Sequence, residues 1–230
     1  QTCALPIYVE LLTAIGEAYL QADKLSEAQM YAALAKKANG KSALASVLEG
    51  DIAAKQKNAG LVSQKYEEAI YFDSRCTPAY LKYADIYKSA NAGLAIEKLN
   101  QLKTLEPSNT AIDKKLAEIY YLKNDFSKAA DAYSRFAMGP TANEEDLVKY
   151  AFALFLNHDF AKSLEVANMG LKKNPRHAAF NRLAMYNNTD LKRFEEALKA
   201  ADVFFNECDK ADYSYLDYMY YGHLLEELKK

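Results

Sequence analysis

The stretch that decides the fold is residues 116–140, which read LAEIYYLKNDFSKAADAYSRFAMGP. Small residues stand at Ala117 and Ala129, and large apolar residues surround each of them at the spacing of one helix face. The polar turn Lys123-Asn124-Asp125 separates the two apolar segments, and Pro140 closes the stretch. This pattern predicts two amphipathic helices that form a hairpin, and neither helix can bury its apolar face without a neighbouring hairpin.

The pattern returns along the chain with a period close to 34 residues. One series of small residues lies in the first helix of each repeat, and a second series lies in the second helix. On this register the third repeat loses one residue at its turn, and the sixth gains one within 187–190, between its two helices. The first series is Gly16, Gly50, Ala84, Ala117, Ala151, Ala184 and Gly222; the second is Ala28, Val62, Ala95, Ala129, Ser163 and Ala197.

This register resembles the tetratricopeptide repeat (TPR) family. The family pattern has Leu-Gly-x-x-Tyr in the first helix, Ala-x-x-x-Phe/Tyr-x-x-Ala in the second and a closing Pro. The fourth repeat supplies Leu116-Ala117-x-x-Tyr120, then Ala129-x-x-x-Tyr133, then Pro140. The resemblance covers about 8–230, nearly the whole chain. It implies an all-α fold, a right-handed α-solenoid of antiparallel helix hairpins in a TPR-like superhelix.

The repeat bounds predict thirteen helices, arranged as six hairpins and one final helix. We expect a single solenoid domain over 8–230. Its repeats lie at about 8–40, 41–75, 76–108, 109–142, 143–175 and 176–211, and the last helix at 212–230.

The first seven residues, QTCALPI, do not look like the start of a protein. They can be back-translated into DNA that resembles a sequencing adapter, so we expect 1–7 to be a non-native segment or, alternatively, a frayed terminus. On this interpretation the true N-terminus is missing. The localisation is then open between the cytoplasm and the cell envelope.

Charge and composition exclude several classes of function. The chain has 29 Lys and Arg against 31 Asp and Glu, and this balance argues against nucleic-acid binding. The longest apolar run, 150–156, is far shorter than the ~20 residues that span a bilayer. The three His lack zinc-ligand spacing, and no phosphate-binding Gly-rich loop or nucleophile elbow occurs. We therefore expect no enzymatic activity, no metal and no cofactor.

The resemblance also implies a binding surface. In TPR proteins the first helices of the repeats line a concave groove, which takes an extended or helical peptide from a partner protein. Counted on the register above, the groove is acidic toward the N-terminus and apolar toward the C-terminus, which suits a partner with basic residues followed by hydrophobic ones. The candidate groove residues are Glu17, Asp51, Asp85, Glu118, Tyr121, Phe152, Phe155 and Met185.

Two interpretations of these residues stay open. The acids could line a binding groove or pair with lysines such as Lys55 and Lys88, and the aromatic residues could instead pack between repeats. A chaperone-tail adaptor is disfavoured, because Thr13 and Glu17 stand where the family's carboxylate clamp has Lys and Asn. The leading expectation is a non-enzymatic scaffold that binds another protein. The alternatives are a structural solenoid that self-associates through its apolar last helix, and a regulatory TPR fragment of a larger protein.

Overall fold

The computed structural model describes the backbone of residues 4–208 and 213–229, and the side chains of these ranges from residue 8 onward. The described residues form thirteen α-helices and no strand, so the predicted all-α class and helix number are confirmed. The helices are α1 (Ala4–Gln21), α2 (Leu25–Ala38), α3 (Ala43–Lys55), α4 (Ala59–Phe72), α5 (Thr77–Ala90), α6 (Ala92–Leu105), α7 (Thr110–Leu122), α8 (Phe126–Phe136), α9 (Glu144–Leu156), α10 (Phe160–Lys173), α11 (Ala178–Asp190), α12 (Phe194–Asn206) and α13 (Tyr215–Glu227).

At both ends of the chain, part of an earlier prediction falls on residues that the structure does not describe. The backbone of 4–7 lies in α1, while residues 1–3 of the segment expected to be non-native lie outside the described residues. The last helix was expected to begin at 212, which is also outside the described residues, and α13 begins at Tyr215. The origin of 1–7 stays a prediction.

The chain divides into two compact units, residues 1–115 and 116–230. In the first unit α1 packs on α2, α3 on α4 and α5 on α6, and α3 also contacts both α1 and α5. In the second unit α9 packs on α10 and α11 on α12, and α13 contacts α11 and α12. Each hairpin therefore covers its apolar face with the next hairpin in its unit.

Five hairpin turns have the same geometry. The middle residue of each turn has a positive φ of 57–60°, the left-handed region that residues other than glycine seldom adopt. In the turn after α7, the backbone N–H of Asp125 donates to the carbonyl of Tyr120 at 2.9 Å; in the turn after α9, Asp159 donates to Leu154 at the same distance. The left-handed residues are Asp23, Lys57, Asn124, His158 and Lys192.

The third repeat has the shortened turn that the sequence predicted. Asn91 alone separates α5 from α6. Its backbone N–H donates to Tyr87 at the end of α5, and its side-chain Oδ1 accepts from the backbone N–H of Leu94 in α6. One residue thus caps both helices, and the left-handed position is absent there.

The predicted extra residue in the sixth repeat is wrong. The left-handed residues His158 and Lys192 are 34 residues apart, so the fifth and sixth turns keep the common period. The residues thought to lie between helices, 187–190, are the last four of α11. Counted back seven residues from the turn, Met185 takes the position that Ala151 takes in α9 and Ala117 takes in α7.

Small residues are required where aromatic rings cross a helix. A methyl group at Gly170 in α10 would lie 2.1 Å from the ring of Phe180, which is fully buried. At Gly50 in α3 a methyl group would lie 2.4 Å from the ring of Tyr66. Real side chains do not approach so closely, so each glycine leaves the space that a ring fills.

Candidate partner-binding surface

The predicted groove residues lie on the first helices of the hairpins, whose surface we call the first-helix face. In the first unit it is formed by α1, α3 and α5. An open cleft of about 560 Å³ lies on this face, and it brings Glu17 and Asp51 together. Asp85 does not line it. The cleft residues are Glu17, Leu20, Gln21, Asp51, Ala54, Lys55 and Lys82.

Asp51 is held by two neighbours. The hydroxyl of Tyr66 donates to its Oδ1 at 2.7 Å, and the ammonium group of Lys82 forms an ion pair with its Oδ2. Burial, and then the hydrogen bond to Asp51, raise the pKa of Tyr66, so the phenol remains the donor. Asp51 therefore joins α3 to α4 and α5.

Asp85 is likewise neutralised. Lys88 Nζ and Lys115 Nζ each lie 2.9 Å from its Oδ1. Partial burial acts to raise the pKa of Asp85, but the hydrogen bonds and charges of the two lysines outweigh it and hold the pKa below its ordinary value. The carboxylate therefore stays ionised between the two lysines.

The acids of the first unit are thus not a row of unpaired charges. The alternative interpretation, pairing with lysines, holds at Asp51 and Asp85, and Lys88 is one of the lysines it named. Lys55 pairs instead with Asp23, at 2.5 Å. Glu17 differs from them, because it is half-buried at the cleft and has no ion pair with any described residue.

In the second unit Glu118 and Tyr121 lie on α7. Both are half-buried. The ring of Tyr121 packs edge-on against Phe126 at 5.5 Å, and burial raises the pKa of its hydroxyl. The charge of Glu118 acts on Tyr133, whose pKa is raised first by burial and then by this carboxylate.

Phe152 and Phe155 lie one turn apart on α9. Phe155 packs against Tyr186 at 5.5 Å and Phe160 at 5.7 Å between ring centroids. Because Tyr186 belongs to the next hairpin, inter-repeat packing accounts for Phe155. Phe152 is half-buried and makes no ring contact with a described residue, so it offers the more accessible aromatic surface.

Met185 does not lie on the first-helix face, and this prediction is wrong. Its side chain is 0% exposed and packs in a core cluster with Phe204 and Leu224. The cause is the one-residue error in the sixth repeat, which assigned a core position to the surface. The position equivalent to Phe152 is held by Tyr186, whose hydroxyl donates to Asp217 at 2.6 Å and whose ring stacks on Tyr220.

The sequence analysis did not single out the exposed face of α13, although its apolar character was noted. Aromatic and aliphatic side chains project from this helix into solvent, and Tyr215 is 79% exposed. The signal that could have found them is a helix with apolar residues on every side. The exposed members are Tyr215, Leu216, Tyr218 and Met219, with Tyr213 just before them.

Within 4–208 and 213–229, no group of three or more His, Cys, Asp or Glu is placed to hold a metal ion. None of the helices in these ranges is both long and apolar enough to cross a membrane.

No protein-family model and no curated protein matches the sequence. Solved structures do match. The pilF protein of Pseudomonas aeruginosa is 14% identical, with a TM-score of 0.69 over 96% of this chain and 99% of that one. YrrB, described as a TPR protein with an unusual peptide-binding site, is 15% identical, with a TM-score of 0.67 over 86% and 98%. A tetratricopeptide repeat protein from Parabacteroides merdae is 13% identical, with a TM-score of 0.59 over 96% and 87%. These likenesses lie in the fold.

Proposed function

Because this chain has the fold of tetratricopeptide repeat proteins, we propose that it is a non-enzymatic scaffold that binds a segment of another protein on its first-helix face. The observation that carries the proposal is the cleft of the first unit. Glu17 brings an unpaired carboxylate to it, while Leu20 and Ala54 supply apolar surface.

This combination suits a lysine or arginine of the partner. The aliphatic stem of such a side chain can lie along Leu20 and Ala54, while its charged end reaches Glu17. Asp51 and Asp85 contribute less, because their charges are already compensated by lysines. YrrB, which shares the fold, is described as having a peptide-binding site, and this supports a peptide as the class of ligand.

Phe152 extends the proposal to the second unit. Its partly exposed ring can take an apolar residue of the partner, and buried aromatic anchors supply much of the affinity at interfaces. Glu118 and Tyr121 remain proposed neighbours of this contact, and Phe155, one turn further along α9, packs on Tyr186.

The test is a selection of peptides from a displayed random library on the purified chain. For peptides that depend on the cleft, Glu17→Gln should weaken binding about two- to five-fold, the strength of an exposed ion pair, and the loss should shrink as salt is added. Phe152→Ala should weaken its own class of peptides about ten-fold.

Glu97→Gln is the matched control, because Glu97 is exposed on α6 and has no ion pair with a described residue. It should leave binding unchanged. Selected peptides that bind the Glu17→Gln and Phe152→Ala variants as tightly as the parent would contradict the proposal.

Self-association is a second candidate function, favoured by the exposed apolar face of α13. A second copy could cover Tyr215 and Tyr218 and remove their rings from water. Sedimentation velocity over a range of concentrations separates the two candidates. A self-associating chain grows in mass with concentration, and the double variant Tyr215→Ser, Tyr218→Ser stays monomeric. A parent chain that is monomeric throughout rejects this candidate.

A further inference from the structure

A second cleft lies in the second unit, on the side of the second helices. Its walls are α10 and α12, and its floor is α11. The space is about 540 Å³, with Leu164 and Leu171 on one wall and Ala200 and Val203 on the other. None of the predicted groove residues lines it. We call it the second-helix cleft.

The floor of this cleft carries a largely buried asparagine whose amide group lines the cleft without a hydrogen-bond partner on the protein. Asn188 is only 7% exposed, and its side chain forms no hydrogen bond with any described residue. The polar side chains next to it are used: Asn187 donates to Ser163 at 2.8 Å, and Thr189 donates to the carbonyl of Met185 at 2.8 Å. Asn187 also keeps an unpaired oxygen, but that residue is fully buried and does not line the cleft.

A second residue on the floor of the cleft uses only part of its hydrogen-bonding capacity. Asn181, 4% exposed, donates its amide group to the carbonyls of Pro175 and His177, at 2.9 and 3.2 Å, and to the sulfur of Cys208 at 3.6 Å. Its Oδ1 accepts no hydrogen bond from a described residue. Asn181 and Asn188 are separated by two turns of α11, about 10 Å along the helix axis.

We propose that the second-helix cleft binds an extended peptide segment of a partner protein, and that Asn188 pairs with its backbone. A carboxamide presents one acceptor and one donor side by side, the same pair that a peptide group offers. An extended chain rises about 3.3 Å per residue, so peptide groups three residues apart match the spacing of Asn188 and Asn181. The apolar walls accommodate the side chains between them.

The rim of the cleft favours a partner with an acidic residue. Arg193, Glu196 and Lys199 border the space, and none of them forms an ion pair with a described residue. The rim therefore has one excess positive charge. This partner chemistry is the opposite of the basic segment proposed for the first-helix face, so the two sites select different peptides.

The test uses a displayed library of random twelve-residue peptides, selected on the full chain and then measured against variants. Asn188→Leu keeps the side-chain volume and removes both hydrogen-bonding groups. A class of peptides enriched in acidic residues should lose about ten-fold in affinity on this change. Asn188→Ser, which shortens the side chain and leaves the cleft open, should cause a similar loss.

Two controls separate this site from the first-helix face. Asn100→Leu makes the same substitution at an exposed position of α6, and Phe152→Ala removes the aromatic contact of the first-helix face. Neither should affect the acidic peptides.

The proposal is overturned if no selected peptide responds to the Asn188 variants. Two outcomes count as this failure. In the first, selection yields only peptides sensitive to Glu17 or Phe152, which would support binding at the first-helix face alone. In the second, selection yields no binder, and water is then the partner of Asn188.

Discussion

At the scale of single residues, the absence of one methyl group decides how neighbouring helices meet. Gly170 in α10 faces the ring of Phe180, which is fully buried in a close-packed interior. The close approach itself comes from the ring of the next repeat.

We predict that Gly170→Ala lowers the free energy of unfolding by ~1–3 kcal/mol, because the added methyl group overpacks the contact with Phe180. Urea denaturation measures the effect. The control is Gly222→Ala in α13, where a methyl group meets nothing within 4 Å. Alanine is the better helix former, so this change should raise stability by up to ~1 kcal/mol. Equal effects at the two glycines would contradict the described packing.

Met185 gives a second prediction at this scale. Met185→Ala should cost ~2–5 kcal/mol, because the side chain is fully buried and its removal leaves a cavity. Met219→Ala on the exposed face of α13 should change stability by less than ~0.5 kcal/mol. Thermal melts of the two variants decide the matter. If Met185→Ala were as stable as the parent, the result would support the register predicted from the sequence, in which Met185 lies at the surface.

The sequence showed that small residues recur with the period of the repeats, but it did not determine the register of every repeat. Ala184 and Met185 are adjacent, and choosing the smaller one as the repeat position moved the sixth repeat by one residue. The left-handed turn at Lys192 resolves the choice, but lysine is an unusual residue for that conformation and gave no signal. The ion pair between Asp51 and Lys82 could not be predicted from the sequence either, because the two residues are 31 positions apart.

At the scale of helices, one buried carboxylate fixes the start of α13 to the rest of the second unit, beside the core packing of Leu224. Asp217 is fully buried and accepts hydrogen bonds from Arg182 at 2.7 and 3.0 Å, from the Tyr186 hydroxyl at 2.6 Å, and from both the backbone and the hydroxyl of Ser214. Arg182 also stacks over the ring of Phe204, at 5.0 Å. The start of α13 is thus fixed to α11 by a saturated ion pair.

We predict that Asp217→Asn costs about 3 kcal/mol, because it removes the negative charge from the ion pair between Arg182 and the buried Asp217. Hydrogen exchange should show faster exchange in α13 than in the parent. Asp202→Asn is the control, because Asp202 is exposed on α12 and makes no ion pair with a described residue. It should leave exchange in α13 unchanged.

The same carboxylate makes a prediction for pH. Burial acts to raise the pKa of Asp217, but the hydrogen bonds from Arg182, Tyr186 and Ser214 outweigh it and hold the pKa below the ordinary 3.8. The stabilisation is then complete above the ordinary value and is lost as the pH falls through the lowered one. The stability difference between the parent and Asp217→Asn should be constant from about pH 7 to pH 5 and shrink below about pH 4. A difference that persists unchanged at the lowest pH would contradict this assignment.

The helices themselves were predictable because their boundaries are local. Asn58, Asp125 and Asp159 each accept a hydrogen bond from the backbone N–H three residues later, so short polar residues mark the starts of α4, α8 and α10. The network around Asp217 was not predictable, because it joins residues 31 and 35 positions apart with no motif that relates them.

At the scale of the whole chain, stability should be local. Within each unit the described helices pack mainly against helices of the same or the next hairpin, so a repeat protein can lose structure in one part before another. We predict that Gly170→Ala speeds native-state hydrogen exchange in α9–α12 and leaves α2–α4 of the first unit nearly unchanged. Uniform acceleration over both units would show instead that the chain unfolds as one cooperative body.

The period of 34 residues made this architecture the most predictable property of the molecule, since every repeat contributes evidence for the same conclusion. The candidate binding surface was less predictable. Its residues were chosen by phase alone, and phase does not show which lysine approaches Asp85 or which ring covers Phe155.

The recurring left-handed turn has a consequence for how such a chain can evolve. Asn124 is followed by Asp125, and His158 by Asp159, and each aspartate caps the helix that follows through the same hydrogen bond. Deleting the codons for 125–158 would join Asn124 to Asp159 and recreate the same dipeptide, Asn-Asp, at the junction. Recombination at these turns can therefore shorten or lengthen the protein by whole hairpins without creating a new local structure at the seam.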